Sequence, residues 1–372
     1  MQENDLSVYI SRGLVRLVSS VLAESAFDKS GRRFLLHQLR VQKRKIRLRN
    51  NQGIHIPPFL IASITGQCNL HCKGCYARGS GFCTDVPRDE PLSAGEWMRI
   101  FSEAEELGIS AVLLAGGEPF MNREVLFRAA EISDMIFPVF TNGTLFDDEM
   151  LALFSKSRNL FPVFSIEGDS AATDFRRGAG VFAKASAAAS ALHASGVLFG
   201  VSVTVTAENI ASVSSDAFFA GLAEAGAAVV FLIEYTASHE SERGLELSGA
   251  DRKYLSERLT LARMQYRSLW FLSFPGDENL MGGCLAAGRG FFHINPFGAA
   301  EPCPFSPFSD RNLKTCSLKE AISSPLFKRL SAAELTRIPH EGGCALAGRA
   351  DEVSALVRDS DSDSLPVKDI SK

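Results

Sequence analysis

The sequence predicts an α/β protein, and three observations carry that expectation. Six short apolar runs alternate with helical stretches, the pattern of parallel strands joined by right-handed crossovers. Six falls short of the eight strands of a closed barrel, so the runs imply an open, partial (β/α)6 TIM-like barrel with functional residues at the C-terminal strand ends. Past about residue 270 the alternation stops and glycine, proline and cysteine increase, which marks a small second domain. A chain of 372 residues, 46% hydrophobic and 22% charged, has the length and composition for a full-sized core.

At the N-terminus Ile10, Leu14, Leu17, Val18, Val21 and Leu22 recur at helical spacing. LLHQLRVQKRKIRLRN (35–50) then concentrates Arg40, Lys43, Arg44, Lys45, Arg47 and Arg49. Two readings fit this stretch: a helical extension with a solvated basic connector, which is favoured, or a peripheral contact with an anionic membrane surface. Pro57-Pro58 closes this extension (1–55), because neither residue continues a helix.

FLIASIT (59–65) is short and apolar, as a buried strand requires. Ser93 and Glu96 form a capping box opening a helix to about Leu107, with Gly108 as its stop. AVLLA (111–115) is the second strand, and a helix is expected from about Glu124. FPVFT (137–141), FPVFSI (161–166), GVSVTV (200–205) and VVFLIE (229–234) complete the six. The clearest helix between them runs from Val181 to Ser195, closed by Gly196. The barrel is thus expected over 56–269, the second domain over 270–350, and a serine- and aspartate-rich disordered tail over 351–372.

A net charge of −4 gives no reason to expect a nucleic-acid partner. No apolar stretch approaches the length of a spanning helix. The acidic start MQENDLSVYI lacks the layout of a secretory signal, so a cytoplasmic location is expected. Eight cysteines in that compartment point to metal or redox chemistry before disulfides.

Three of them, Cys68, Cys72 and Cys75, crowd into CNLHCKGCY on the loop leaving the first strand. A structural zinc site usually brings paired C-x2-C knuckles and needs four ligands. The second knuckle is missing here, and Cys83 or His71 would have to complete the set. Chance clustering of core cysteines fits poorly with a polar, glycine-containing loop. An iron–sulfur cluster takes thiolates at close spacing, and three of them leave one iron open for chemistry.

CNLHCKGCY resembles the signature of the radical SAM superfamily. The resemblance implies a 4Fe-4S cluster on Cys68, Cys72 and Cys75, with the amino and carboxylate groups of S-adenosylmethionine on the open iron. Reductive cleavage of the sulfonium would then give a 5'-deoxyadenosyl radical that takes hydrogen from substrate. The family often has an aromatic residue before the third cysteine; this chain has Gly74, and Tyr76 follows as the aromatic for that surface.

Gly116-Gly117-Glu118-Pro119 comes straight after the second strand. Glycines let a backbone approach a ligand closely, and a carboxylate accepts from an ammonium. By the resemblance this GGEP element binds the methionyl amino group, with Glu118 as acceptor. Asn142 after the third strand, Ser165 and Glu167 in SIEGD, and Arg177 in DFRRGAGVF complete the expected cofactor contacts. Each alone reads as a solvated loop residue; their order along the strand ends gives them weight. Glu234-Tyr235 ends the sixth strand at the same mouth, read first as a supporting pair and second as a base or radical relay.

Cys284, Cys303 and Cys344 lie in the second domain, with Cys316 between the last two. The Gly298-x4-Cys303 spacing and the strand-like FFHIN before Pro296 resemble the auxiliary-cluster domains called SPASM and twitch. His293 within FFHIN reads as a satisfied packing residue, and NLKTCSLKEAISSPLFKRL as the following helix. The dense later cysteine run of a full SPASM domain is missing, so the resemblance implies one auxiliary 4Fe-4S cluster on Cys284, Cys303 and Cys344. A zinc site that adds Cys316 is the structural alternative.

The combined expectation is a radical SAM oxidoreductase or maturase acting on a peptide or a cofactor precursor. Flavodoxin or ferredoxin is the implied electron donor. Two further readings remain beside it: a lipid substrate at the membrane surface, and a non-catalytic zinc-stabilised binding protein.

Overall fold

The computed structural model describes residues 44–45, 47–48, 53–86, 89–336 and 344–358. The helix expected over 6–22, most of the basic segment and everything past 358 lie outside the described residues.

Parallel strands β1 (Phe59–Ser63), β2 (Ala111–Ala115), β3 (Phe137–Thr141), β4 (Leu160–Ser165), β5 (Gly200–Val205) and β6 (Val229–Glu234) match the six expected runs. A seventh, β7 (Trp270–Phe274), pairs with β6 from Val229↔Trp270 to Ile233↔Phe274. Its residues alternate between buried and half-buried, and Pro275-Gly276 follow at once, so in the sequence it merges with the glycine- and proline-rich texture beyond. On the opposite flank β8 (His293–Ile294) runs parallel to β1 and turns into the antiparallel β9 (Ala300–Glu301). Strands β7 and β9 are the two edges of a nine-stranded sheet, so the barrel is open as expected, although with more strands than the six read from the sequence.

The sequence chemistry accounts for these elements. Strands β1 to β6 are buried almost throughout, which is why they read as apolar runs without alternation. Helix Ala94–Leu107 opens on its capping box: Glu96 N–H donates to Ser93 Oγ at 3.2 Å, and Ser93 N–H donates to Glu96 Oε2 at 2.7 Å. Gly108 ends it in the left-handed conformation, φ 91°. Such a cap contributes about 1 kcal/mol. The inner face of this helix buries Trp97, Ile100, Phe101 and Ala104, and Phe101 meets Phe137 of β3 edge-on with centroids 5.2 Å apart. Each large side chain buried this way contributes about 1.5–3 kcal/mol.

A buried polar link fastens the C-terminal hairpin to the barrel. His293 Nε2 lies 2.7 Å from Ser63 Oγ on β1, and its Nδ1 lies 2.7 Å from Glu301 Oε2 on β9. Asn295 Nδ2 donates to Glu301 Oε1, also at 2.7 Å. His293 is fully buried with both ring nitrogens partnered, the satisfied packing residue its setting suggests.

One expectation is corrected. Residues 351–358, assigned from sequence to a disordered tail, belong to helix Ala350–Arg358, which packs on helix Pro325–Ala332. Val353 and Val357 sit one turn apart and are both buried. The serine- and aspartate-rich composition that suggested disorder concentrates beyond Arg358.

Candidate active site at the barrel mouth

The loop leaving β1 carries Cys68, Cys72 and Cys75 into a cavity of about 270 Å³ at the C-terminal ends of the strands. Its backbone is pinned from β2. Gly117 N–H donates to Thr65 O and Glu118 N–H to Gln67 O, each at 2.8 Å. A Cβ on Gly116 would stand 2.4 Å from Thr65 O, and one on Gly117 2.0 Å from Gln67 O. The two glycines therefore let the GGEP element lie directly against the cysteine loop, a closer reason for them than approach to a ligand.

Glu118 is buried in the cavity wall. It accepts from Phe120 N–H at 3.0 Å, Thr141 Oγ1 at 2.7 Å and Asn142 N–H at 2.8 Å. Burial pushes its carboxyl above the ordinary range, and these donors only partly offset that. Two of the bonds fall on Oε1 and one on Oε2, so by the capacity of a carboxylate Oε2 can accept again. Asn142 links the same wall to the cysteine loop, its Nδ2 donating to Asn69 Oδ1 at 3.0 Å.

Glu167 does not line the cavity. It is buried behind it and holds two arginines: Arg177 Nε and Nη2 donate to its two oxygens at 2.6 and 2.7 Å, and Arg176 Nη1 donates at 2.8 Å. Burial pushes the Glu167 carboxyl up, but Arg177 and Arg176 outweigh it and hold it below the usual carboxylate range. Arg176, which the sequence reading passed over, also ties down the cysteine loop: its carbonyl accepts from Lys73 N–H at 2.9 Å. Both guanidiniums face Cys72 and oppose the upward push that burial exerts on that thiol. Burial drives Cys68 up to about 12, although Leu70 N–H donates to its sulfur at 3.4 Å. A half-buried thiol of this kind stays protonated until a metal displaces the proton.

At Gly74 the structure supplies what the sequence lacked. The glycine is left-handed, φ 62°, and a Cβ there would lie 2.4 Å from the hydroxyl of Tyr235. Tyr235, just past β6, thus occupies the space beside the third cysteine that a side chain at 74 would fill. Its hydroxyl donates to Glu242 Oε2 at 2.8 Å. Tyr76 also borders the cavity, but its ring packs against Phe82 and Phe305, with centroids 6.2 and 5.5 Å away. Glu234 accepts from Arg252 Nε at 2.8 Å.

Cys284, Cys303 and Cys344 line the same cavity as the first three cysteines. The thiols of Cys303 and Cys344 are in contact; that contact and burial push Cys303 up, while Cys344 is lowered by the same contact. Buried Glu278, in the turn after β7, borders the same cavity and lies near the Cys284 and Cys344 sulfurs. Cys316 stands apart, half-buried among Glu320, Arg311, Arg99 and Glu103. Gly116, Gly117, Glu118, Asn142, Ser165 and Arg177 all border the cavity, whereas Pro119 is buried at the start of a turn behind it. His71 turns to Asp85 on the surface, 3.0 Å away, and Cys83 is buried beside Phe82 and Ala77, with Cys68 and Cys75 packed against that group. Among the described residues no group of three or more His, Cys, Asp or Glu side chains is placed to hold a single metal ion.

Residues 62–219 match the Radical SAM superfamily. The chain carries a radical SAM domain. The family resemblance and the open-barrel fold read from the sequence are both borne out. Fe-coproporphyrin III synthase of Methanosarcina barkeri is 28% identical over 156 residues, 41% of this chain and 38% of that protein. PqqA peptide cyclase of Granulibacter bethesdensis is 32% identical over 111 residues, 28% of this chain and 27% of that one. The chain thus spans well under half the length of these curated relatives. Among solved structures, Streptococcus suis SuiB bound to S-adenosylmethionine shares the fold with a TM-score of 0.63 at 18% identity, covering 77% of this chain and 71% of that one. Native anSMEcpe with bound AdoMet aligns with a TM-score of 0.59 at 15% identity, covering 82% and 96%. The superfamily is one of enzymes that use a 4Fe-4S cluster and S-adenosylmethionine. Among the described residues no helix is long and apolar enough to cross a membrane.

Proposed function

We propose that the chain is a radical SAM enzyme of peptide or cofactor maturation, with a 4Fe-4S cluster on Cys68, Cys72 and Cys75 and an auxiliary 4Fe-4S cluster on Cys284, Cys303 and Cys344. One observation carries the reading: both cysteine groups and the GGEP element line a single cavity at the mouth of a radical SAM barrel. The donor set fits the clusters. Each group offers three thiols to one cavity, and thiolates are the ligands that iron–sulfur clusters take. The boundary near 270 remains the proposed division between barrel and auxiliary domain, with β7 continuing the barrel sheet past it.

When bound, the first cluster supplies an open iron and the electron that cleaves S-adenosylmethionine reductively. The chain's own groups position the cofactor. Glu118, fixed by three donors, offers Oε2 to the methionyl ammonium. Ser165 and Asn142 border the same wall, and Arg177, held by Glu167, brings positive charge beside Cys72. Tyr235 presents its ring where the adenine side needs an aromatic surface. Relatives named as a peptide cyclase and a coproporphyrin synthase support a substrate of peptide or cofactor type. Flavodoxin or ferredoxin is the proposed electron donor.

The test is release of 5'-deoxyadenosine by anaerobically reconstituted protein given S-adenosylmethionine and dithionite. Wild type should release it, and the chain with Cys68, Cys72 and Cys75 all replaced by Ala should not. Zinc in place of iron in the reconstituted protein, with no release, would overturn the proposal.

A further inference from the structure

Three cysteines supply only three of the four donors that a closed 4Fe-4S cluster takes. Beside the C-terminal group lies one buried carboxyl. Glu278 is 5% exposed, sits in the turn Gly276–Met281 that follows β7, and borders the same cavity as Cys284, Cys303 and Cys344. Its carboxylate faces the Cys284 thiol and the Cys344 sulfur. A carboxyl among buried thiols takes a proton, a cation or a metal to offset its charge, and Arg289 is the cation nearby. Iron takes a carboxylate oxygen beside imidazoles in the facial triad of non-haem sites, so a carboxylate is within its ligand range. Cys316, the remaining cysteine of the domain, lies among Arg99, Glu103, Arg311 and Glu320 and does not border the cavity.

We propose that Glu278 is the fourth ligand of the auxiliary cluster, closing it with a Cys3Glu donor set and leaving the open iron to the Cys68, Cys72 and Cys75 site alone. The assignment rests on the auxiliary-cluster reading above and deepens it. It gives the two clusters different tasks: one offers a vacant iron to a ligand, and the other is coordinatively complete.

The test reads the auxiliary cluster by itself, in full-length protein with Cys68, Cys72 and Cys75 all replaced by Ala. Iron is counted after anaerobic reconstitution, and the electron paramagnetic resonance of the dithionite-reduced protein is recorded with and without cyanide. This parent should keep about four irons per chain, with a signal that cyanide leaves unchanged. Adding Glu278→Ala should make the signal cyanide-sensitive or empty the site. Adding Glu278→Cys instead should restore both the iron and the insensitivity. A parent signal that already shifts with cyanide would overturn the assignment. So would a Glu278→Ala protein that keeps its iron and stays insensitive, or iron loss that Glu278→Cys does not repair. A parent that binds no iron removes the auxiliary cluster itself, and the assignment falls with it. Should the triple replacement fail to fold, the Glu278 variants are compared in the otherwise unaltered chain with S-adenosylmethionine occupying the first site.

Discussion

The two cysteine groups reach one cavity by different routes. Cys68, Cys72 and Cys75 are neighbours in sequence on a single loop, pinned by Gly117, Glu118 and Arg176. Cys284, Cys303 and Cys344 are scattered over 284–344 and meet only because β8, β9 and the C-terminal helices fold around them. The first group is a local device on a finished scaffold. The second is part of the scaffold, with Cys284 and Cys303 packed into the main core. Removing the first should therefore cost chemistry and spare the fold, whereas disturbing buried groups behind the cavity should cost stability.

The largest effect should come from the local loop. Replacing Cys68, Cys72 and Cys75 together by Ala should remove about four irons per chain and abolish 5'-deoxyadenosine release. Iron-free wild type and variant should nevertheless unfold within about 1 kcal/mol of each other in guanidinium, since these thiols are only half-buried. A much larger difference would break the contrast.

Next comes the buried carboxylate that holds the loop from behind. Glu167→Ala leaves Arg176 and Arg177 without their counter-charge, and should destabilise the protein by about 3–5 kcal/mol in the same titration. The pH dependence has a definite sign. A carboxyl held below its unfolded value contributes fully above about pH 4.3 and loses that contribution as pH falls through its lower folded value. Acid unfolding below about pH 4.3 should therefore be shallower in Glu167→Gln than in wild type.

A smaller effect is expected at the aromatic beside Gly74. Tyr235→Ala should weaken S-adenosylmethionine binding by about 1–3 kcal/mol, measured by calorimetry on reconstituted protein, if its ring stacks on the base. Gly74→Ala should destabilise by about 1–3 kcal/mol through overlap with Tyr235, and Tyr235→Ala in the same chain should relieve part of that. Additive effects of the two changes would show that they do not meet. The smallest effect belongs to Cys316→Ser, which should leave iron content unchanged and stability within about 0.5 kcal/mol.

What the sequence made legible follows the same division. CNLHCKGCY and GGEP are contiguous, and strands buried on both faces announce themselves as apolar runs, so six strands and the first site could be placed. Features created by tertiary contact left little trace. Glu278 and Cys284 carry no mutual spacing rule, and the pairing of Gly74 with Tyr235 joins positions far apart in the chain. Arg176 was visible beside Arg177, but only the fold shows both converging on Glu167. Strand β7 was lost because Pro275 and Gly276 abut a short edge strand, and the last helix because two valines one turn apart are a weak signal beside a polar tail.

The claim beneath these comparisons is that S-adenosylmethionine meets the iron of the first group and not of the second. Low-temperature electron paramagnetic resonance of dithionite-reduced protein, with and without S-adenosylmethionine, tests it in two chains. One has Cys68, Cys72 and Cys75 replaced by Ala, and the other Cys284, Cys303 and Cys344. The signal should shift on adding S-adenosylmethionine only in the chain that keeps Cys68, Cys72 and Cys75. A shift in the chain that lacks them would contradict the assignment of the two sites.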